Sequence, residues 1–596
     1  MDEIILKDEH EKRLARLRKE RMEILSLEPK AAMERILNAS HPVPLAHSFS
    51  DEDFYFLLQE IGPEDSLELL SLASDRQWEF ILDIETWEKD KVINESITRW
   101  VDLLMRADSN RLIQWALKEK IEFFRLYLFN NIELKIREHD QDPGIFGDEY
   151  VTVDDVYYVR FVSNSLEPPA RPRNEELRSD VLTRFLRRLA DHDHIQYQHL
   201  LFEAAHVIPA ESEEELFRLR NVRMAEKGFL PFDEAIAVYQ PLKLKDMEKR
   251  RPKYIVKHAR ELMLPVPLFH TNVLKEDSVF SRSLELISTD EIYMQIQTEL
   301  ASLCNQIISA DQQVIRDREA LKKVVKKACG YLSIGLEQLG ENGKRKPDPN
   351  RTAALVARYA LADIFRIGFG EALKLKWRAE AWRKESWFQS QNLSLTFWGE
   401  QWLGILGGLF VRKPLFYDNY QTGVLYREFT SLDEVKQTER KLEDIIRFDH
   451  LLSLLNIGAS SLSALDFFNY KNFTLTNWAR NYLTLVDVGA TGGAVALLEL
   501  NEFLRFFKEL WEPKGIPRRI KGPVKEAFLD WLVGRTGLEK ATILSDVGST
   551  LEDLFNEVES EFQHIAESNL DPRFVTLFLI RGKDSISSNR SGGSTK

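Results

Sequence analysis

Cysteine is nearly missing from this chain: Cys304 and Cys329 are the only two in 596 residues. Two distant thiols make neither a disulfide framework nor a CxxC redox or zinc motif, and they point to a reducing, cytoplasmic compartment. Long apolar runs are missing too. The longest, LGILGGLFV from Leu403 to Val411, falls far short of the ~20 residues that span a bilayer, so no transmembrane segment is expected. The start MDEIILKDEHEKRLARLRKE has no basic stretch followed by an apolar core, and no signal peptide is expected. Basic charge is in the minority, with 81 Lys and Arg against 95 Asp and Glu and a net charge of −14. A field of that sign repels phosphate backbones, so nucleic acid is not an expected partner. The chain also lacks GxSxG, GxxxxGK[ST] and HExxH. Nucleotide, nucleophile and zinc chemistry therefore have no local signature and no cofactor is expected, although a triad assembled across the fold stays open.

What is present is material for a large helical core. Apolar residues make up 44% and aromatic residues 11%, far above what a disordered chain carries. The length suggests about three or four domains, or one extended helical array. Ser or Thr followed three residues later by Glu or Gln marks helix starts at Ser74–Gln77, Ser212–Glu215, Ser288–Glu291, Ser431–Glu434 and Ser549–Glu552, because the two side chains satisfy each other's orphan backbone donors. After Ser288, Ile292, Ile296, Leu300, Leu303, Ile307 and Ile308 form an apolar stripe at helical spacing. Strand signal is confined to YVTVDDVYYVRF, Tyr150 to Phe161. There either a hairpin turns at Asp154-Asp155 or a helix begins at one of those acids.

The expected fold is mostly α, a multi-domain helical array with a helical-repeat N-terminal part and at most a small β-hairpin. Its parts are an N-terminal arm (1–45), a helical-repeat domain (46–135), a connector with a possible hairpin (136–172) and a helical domain (173–340). A linker (341–350, GENGKRKPDPN from residue 340) leads to a C-terminal helical domain (351–581), and a disordered tail (582–596) follows. Within 173–340, helix is expected to stop at Gly228 and a short helix to follow Pro231.

Three segments carry the resemblance of the N-terminal part: Ile61 to Leu70, Ser74 to Leu82 and a looser copy from Asp108 to Leu117. They resemble the short helical repeats of the cytoplasmic N-terminal domain of bacterial magnesium transporters and of the flagellar motor switch protein. That resemblance covers about a sixth of the chain. It implies a right-handed superhelix of short helices and carries no activity or metal site. The phrases FRLRNVRMAEKGFLPFDEAIAVYQPL (217–242) and FWGEQWLGILGGLF (397–410) make the whole chain resemble an uncharacterised family of large bacterial proteins, which implies a bacterial, cytoplasmic protein and supplies no function.

Four segments are candidates for chemistry. His192, His199, Glu203 and His206 share one face if they lie on one helix, and imidazole and carboxylate suit zinc, iron or manganese. His199 and His206 are seven positions apart, about 10 Å along a helix, so one ion takes either His199–Glu203 or Glu203–His206; a polar helix face is the alternative. LVDVGATGGA, 485–494, echoes a cofactor-binding glycine loop, with Asp487, Gly489 and Gly493, but Thr491 stands where glycine is usual and no strand–helix alternation follows, so a helix–helix turn is expected. The basic run Lys243 to Arg260 contains Tyr254 but no basic–aromatic interleave, and reads as a solvated face. The aromatic, glycine-interrupted stretch 377–427 is the most unusual in composition. Either its rings are core, or Trp398, Trp402, Tyr417, Tyr420 and Arg427 line an interaction groove. The groove reading has the glycines admitting a partner's backbone, and has Trp402→Ala or Tyr420→Ala weakening partner capture with thermal stability nearly intact.

Together these features favour a non-enzymatic interaction or scaffold protein using helical-repeat surfaces for a protein partner. A metal-dependent or other hydrolase is the alternative. Neither the partner nor the oligomeric state is written in the chain.

Overall fold

A computed structural model describes residues 13, 16–162, 172–253, 277–313, 315, 318–340, 348–459, 462, 467–485, 497–512, 517–565 and 569–581. The fold is mostly α-helical, with three small antiparallel sheets among the described residues. It divides into two compact units, Met1–Ile367 and Gly368–Lys596. No described helix is long and apolar enough to cross a membrane. Residues 486–494 of the glycine loop, the tail and Tyr254 with the rest of the basic run beyond Lys253 lie outside the described residues.

After the helical residues 16–25 the first unit continues with short helices whose starts are written locally: α1 (Pro29–Leu37), α2 (Pro42–Ser48), α3 (Asp51–Ile61), α4 (Leu67–Leu72) and α5 (Asp75–Glu85). Ser50 caps α3 by accepting from the Asp53 backbone N–H at 3.1 Å, and Asp51, Glu52 and Asp53 in the first turn complement the helix dipole. The Ser74–Gln77 capping box closes from both sides, at 3.2 and 2.7 Å. Trp78 is buried on this scaffold. Its indole donates to the Leu70 carbonyl at 3.0 Å, its ring meets Trp115 edge-on at 5.7 Å, and the Arg111 guanidinium lies 4.1 Å above it. The helix Asn94–Lys118 (α6) breaks at Asp108 (φ −157°, ψ 92°), whose carboxylate caps the Arg111 N–H at 3.0 Å. The looser third segment of the repeat pattern therefore starts a new helical turn at its own aspartate.

Helix Ile121–Asn131 (α7) runs directly into a strand, Ile132–Ile136, with no turn residue between them. This strand pairs antiparallel with Tyr157–Phe161, in a register that sets Ile132 opposite Phe161, and Val151–Thr152 pairs on the other edge. The hairpin at Asp154-Asp155 is therefore present. Asp155 takes φ 57°, and the Asp154 carboxylate accepts from the Val156 and Tyr157 N–H groups at 3.1 and 2.9 Å.

The remaining α-helices among the described residues of this unit are Pro172–His192 (α8), His194–Ala204 (α9), Pro209–Glu226 (α10), Phe232–Ala235 (α11), Leu244–Met247 (α12), Val279–Glu285 (α13), Asp290–Asp311 (α14), Arg318–Gly340 (α15) and Pro349–Arg358 (α16). Gly228 ends α10 with φ 87°, and Phe229 N–H reaches the Met224 carbonyl at 2.9 Å. Of the segment 341–350, residues 341–347 lie outside the description. Its flanking helices α15 and α16 pack on each other and on α13 within one unit. The division between units falls further on, inside the helix Leu361–Glu385 (α17).

Gly335 marks a close crossing in this unit. A Cβ there would lie 2.2 Å from the Ile364 carbonyl oxygen, a backbone atom that has nowhere to move. Gly335→Ala is expected to destabilise the protein by about 1–3 kcal/mol through overpacking. Gly534→Ala, where the added methyl meets nothing within 4 Å, is expected to stabilise a helix by up to ~1 kcal/mol. Urea unfolding of the two variants checks the contrast, and a Gly335→Ala protein as stable as wild type would rule out the crossing.

The second unit comprises most of α17, then Trp387–Ser390 (α18), Gly399–Phe410 (α19), the strands Phe416–Tyr417 and Tyr426–Arg427, and helices Leu432–Leu455 (α20), Tyr470–Tyr482 (α21), Leu500–Leu510 (α22), Gly522–Thr536 (α23) and Lys540–Phe562 (α24). Its core is aromatic. Trp478 is met edge-on by Phe506 and Phe528 at 5.1 and 4.9 Å. Trp398 is fully enclosed, with Trp382, Phe388 and Trp402 within 5.8 Å.

Candidate functional site

Helix α19 is rich in glycine for a reason internal to the chain. A Cβ at Gly404 would sit 2.3 Å from the Tyr417 ring. At Gly407 it would sit 2.6 Å from the Tyr426 hydroxyl, and at Gly408 2.5 Å from the Leu415 carbonyl oxygen. The glycine face seats the hairpin 416–427, and Tyr426 donates to the Gly404 carbonyl at 3.0 Å. The close approach that the glycines allow is thus taken by the chain's own hairpin rather than left for a partner.

A charged network locks the hairpin. The buried Asp418 carboxylate accepts from the Thr422 N–H (2.7 Å), the Thr422 hydroxyl (2.9 Å) and Arg427 Nε (2.7 Å). The other face of the Arg427 fork donates to Glu434 at 2.7 and 3.1 Å, and its guanidinium lies 4.5 Å over the Phe416 ring. Burial works to raise the Asp418 pKa, yet the Thr422 and Arg427 donors prevail and hold it below the ordinary aspartate range. The tip is a tight loop, with Asn419 (φ 49°), Tyr420 (φ 62°) and Gly423 (φ 88°) in left-handed conformations. A tyrosine in that region carries strain of the kind that persists where surrounding bonds over-determine it. Here Tyr420 N–H bonds the Val424 carbonyl at 3.0 Å while the side chain stays 66% exposed.

One cavity lies beside this hairpin and a second adjoins it. The larger, about 570 Å³, is walled by Ile405, Phe416 and Tyr417 and edged by Gln421, Gln437 and Arg440. The smaller, about 360 Å³, lies among Trp402, Tyr470, Thr550, Asp444, Asp553 and Glu557. Gln401 and Lys441 line both, so the two (together, the groove) adjoin along α19 and α20, with α24 bounding the smaller. Lys441 lies 3.8 Å from Asp444, and Lys471 donates to both Glu557 oxygens at 2.5 and 2.6 Å. Burial outweighs Lys441 and Arg447 and lifts the Asp444 pKa above the ordinary range, with Glu443 and Asp553 pushing the same way. Burial, then Glu557 and Asp553, strongly raise that of Tyr470.

The five aromatic and arginine candidates divide over this frame. Trp398 is wholly core, Trp402 is core with one edge on the smaller cavity, Tyr417 walls the larger cavity, Tyr420 stands out at the tip and Arg427 is the lock. Asp444, Thr550, Asp553 and Glu557 were not singled out from sequence. For the last three the signal is a polar row, Thr550, Asp553, Glu557 and Ser560, at helical spacing beside the apolar row Val547, Leu551, Leu554 and Val558.

The histidine cluster does not converge. Asp193 breaks the helix and caps the next one, accepting from Ile195 and Gln196 N–H at 3.0 Å each. His199 Nδ1 lies 3.7 Å from one Glu203 oxygen, while Arg125 donates to the other. His206 lies beyond the end of α9 and donates to the Phe202 carbonyl at 2.7 Å. Among the described residues, no group of three or more His, Cys, Asp or Glu side chains is arranged to hold a metal ion. Cys304 and Cys329 are buried and unbonded to each other.

Residues 8–581 match the model of a family of unknown function, DUF6178. No curated protein and no solved structure shows significant similarity to the chain, so the transporter and motor-switch likeness of residues 46–135 gains no support.

Proposed function

We propose that this chain, which belongs to the family of unknown function DUF6178, is a non-enzymatic interaction protein whose second unit binds a segment of a protein partner in the groove between the hairpin and α24. The observation that carries this reading is the groove itself: two adjoining cavities, the larger edged by Asn419 and Gln421 of the strained tip. Its larger half combines an apolar wall with the amides of Gln401, Asn419, Gln421 and Gln437, a lining suited to main-chain hydrogen bonding. Neither cavity is lined by histidine or cysteine, which weighs against nucleophilic hydrolysis there. The same proposal takes the short helices of 46–135 as a superhelical repeat offering a second extended face, and puts the protein in the cytoplasm.

Selection of displayed random peptides against the full chain tests this reading. Wild type is expected to enrich peptides of roughly micromolar affinity. Tyr420→Ala removes an exposed ring, and Gln437→Trp fills the larger cavity from an exposed helix position. Each is expected to weaken those peptides by about ten-fold or more, while leaving thermal stability close to wild type. Peptides that bind both variants as tightly as wild type would remove the groove from consideration.

A further inference from the structure

The smaller cavity is built differently from the core around it. Trp402, Tyr470 and Thr550 are 5, 6 and 6% exposed, and all three line the cavity. None of their polar side-chain atoms bonds another described residue. Nor are those atoms sealed in the interior, as the indole nitrogens of Trp398 and Trp478 are. Three nearly enclosed polar groups thus turn their hydrogen-bonding capacity toward one space. Enclosed polar groups ordinarily find partners inside the fold, and exceptions call for an explanation.

Charge around the same space is one-sided. Asp444, Asp553 and Glu557 face it with Lys441. Glu557 is already paired with Lys471, whose ammonium lies 5.8 Å over the Tyr470 ring, so Asp444 and Asp553 share the one lysine of the lining. Among the described residues Asp553 makes no hydrogen bond or ion pair, and Asp444 has the loose contact to Lys441 at 3.8 Å and a weaker attraction to Arg447. The neighbouring wall is the stacked pair of Trp402 and Tyr470, with ring centroids 4.4 Å apart and planes 9° from parallel. An aliphatic stem with a cationic head matches this arrangement. The stem packs on the rings, and the head meets the carboxylates.

We propose that the smaller cavity receives one basic side chain, arginine or lysine, of the segment that occupies the groove. This inference rests on the partner-binding reading above and names the chemistry of that partner. A peptide fits better than a free metal ion for a specific reason. The Trp402 N–H only donates, so the occupant must bring an acceptor together with its cation, as a peptide carbonyl beside a basic side chain does. The larger cavity, with its apolar wall and amides, takes the flanking residues.

An array of short immobilised peptides tests the inference. All share one apolar frame, and a single central position holds arginine, lysine, citrulline, norleucine or glutamate. Fluorescently labelled full-length protein is the probe, applied at low and high salt. Arginine and lysine spots are expected to bind about ten-fold or more above citrulline and norleucine, with the margin shrinking as salt rises. Asp553→Asn, at an exposed position, is expected to erase that margin while leaving norleucine spots unchanged. Equal binding of arginine and citrulline, a preference for glutamate, or an intact arginine margin in Asp553→Asn would overturn the basic-side-chain inference and leave the groove reading standing. No binding at any spot, or binding unchanged by Gln437→Trp, would overturn both.

Discussion

Truncating Trp402 to alanine is expected to cost about 3–5 kcal/mol of stability and to lower the melting temperature by on the order of 10 °C. The ring is 5% exposed, stacks on Tyr470, meets Phe448 edge-on at 5.8 Å and lies 5.7 Å from Trp398. Its loss leaves a cavity that the neighbouring rings of α20 and α21, held in their own packing, close only in part. Tyr420→Ala, in the same segment, is expected to stay within about 0.5 kcal/mol of wild type because its ring touches little of the fold. Denaturant unfolding of the two proteins side by side gives the answer. If Trp402→Ala unfolds with wild type, the ring is not a core ring, and the assignment of the smaller cavity falls with it. This outcome differs from the sequence-based expectation that both variants keep their stability, and it makes Asp553→Asn rather than Trp402→Ala the usable probe of binding.

Sequence could not separate these two rings because both lie in one aromatic stretch with no clean period. Helix α19 is apolar nearly all round and buried against α20 on one side and the hairpin on the other, so periodicity loses its power to say which face is core. Where signals were local, they held. Ser74 and Ser431 cap their helices, Gly228 stops α10 and the Asp154-Asp155 turn closes a hairpin. Where a stronger local signal lay just upstream, they failed. Pro209 starts α10 before Ser212, and α24 begins at Lys540, so Ser212 and Ser549 sit inside helices. Thr289, rather than Ser288, stands at the N-cap of α14. The strand 132–136 follows a helix without punctuation and was invisible for that reason.

The site was less legible than the fold. Asp444 and Asp553 lie on different helices, more than a hundred positions apart, and no spacing rule reaches across that distance. The histidine cluster had the opposite defect. Its residues are close in sequence, but Asp193 as a helix cap sets His192 on the preceding helix and the helix end at Ala204 leaves His206 beyond α9, so His199 and Glu203 stay paired and the other two do not join them. The glycines of α19 had a true structural meaning, close approach, though the sequence could not say that the approaching group is the chain's own Tyr417 and Tyr426.

Removing the lock of the hairpin should have an effect as large as removing its neighbouring core ring. Arg427→Ala leaves the buried Asp418 carboxylate with Thr422 as its only donor among the described residues and frees Glu434 from its bidentate partner. Breaking one side of a buried pair typically costs about 3–5 kcal/mol, because the remaining charge stays buried without compensation. The loss should be local first. Proteolysis is expected to cut between Asn419 and Leu425 in the variant and not in wild type, and peptide capture should fall because Phe416 and Tyr417 no longer wall the larger cavity. Arg427→Lys should recover only part of the loss, since a single ammonium cannot reproduce the planar fork that serves Asp418 and Glu434 at once. The pH dependence has a fixed sign. Because the folded-state pKa of Asp418 is depressed, its contribution is complete above the unfolded aspartate value of about 3.9 and is lost only as pH falls below that through the folded value. The stability gap between wild type and Arg427→Ala should therefore stay constant from neutral pH down to about 5 and then narrow in stronger acid. A gap below about 0.5 kcal/mol at neutral pH, the range of an ordinary surface substitution, would mean that the glycine face alone holds the hairpin in place.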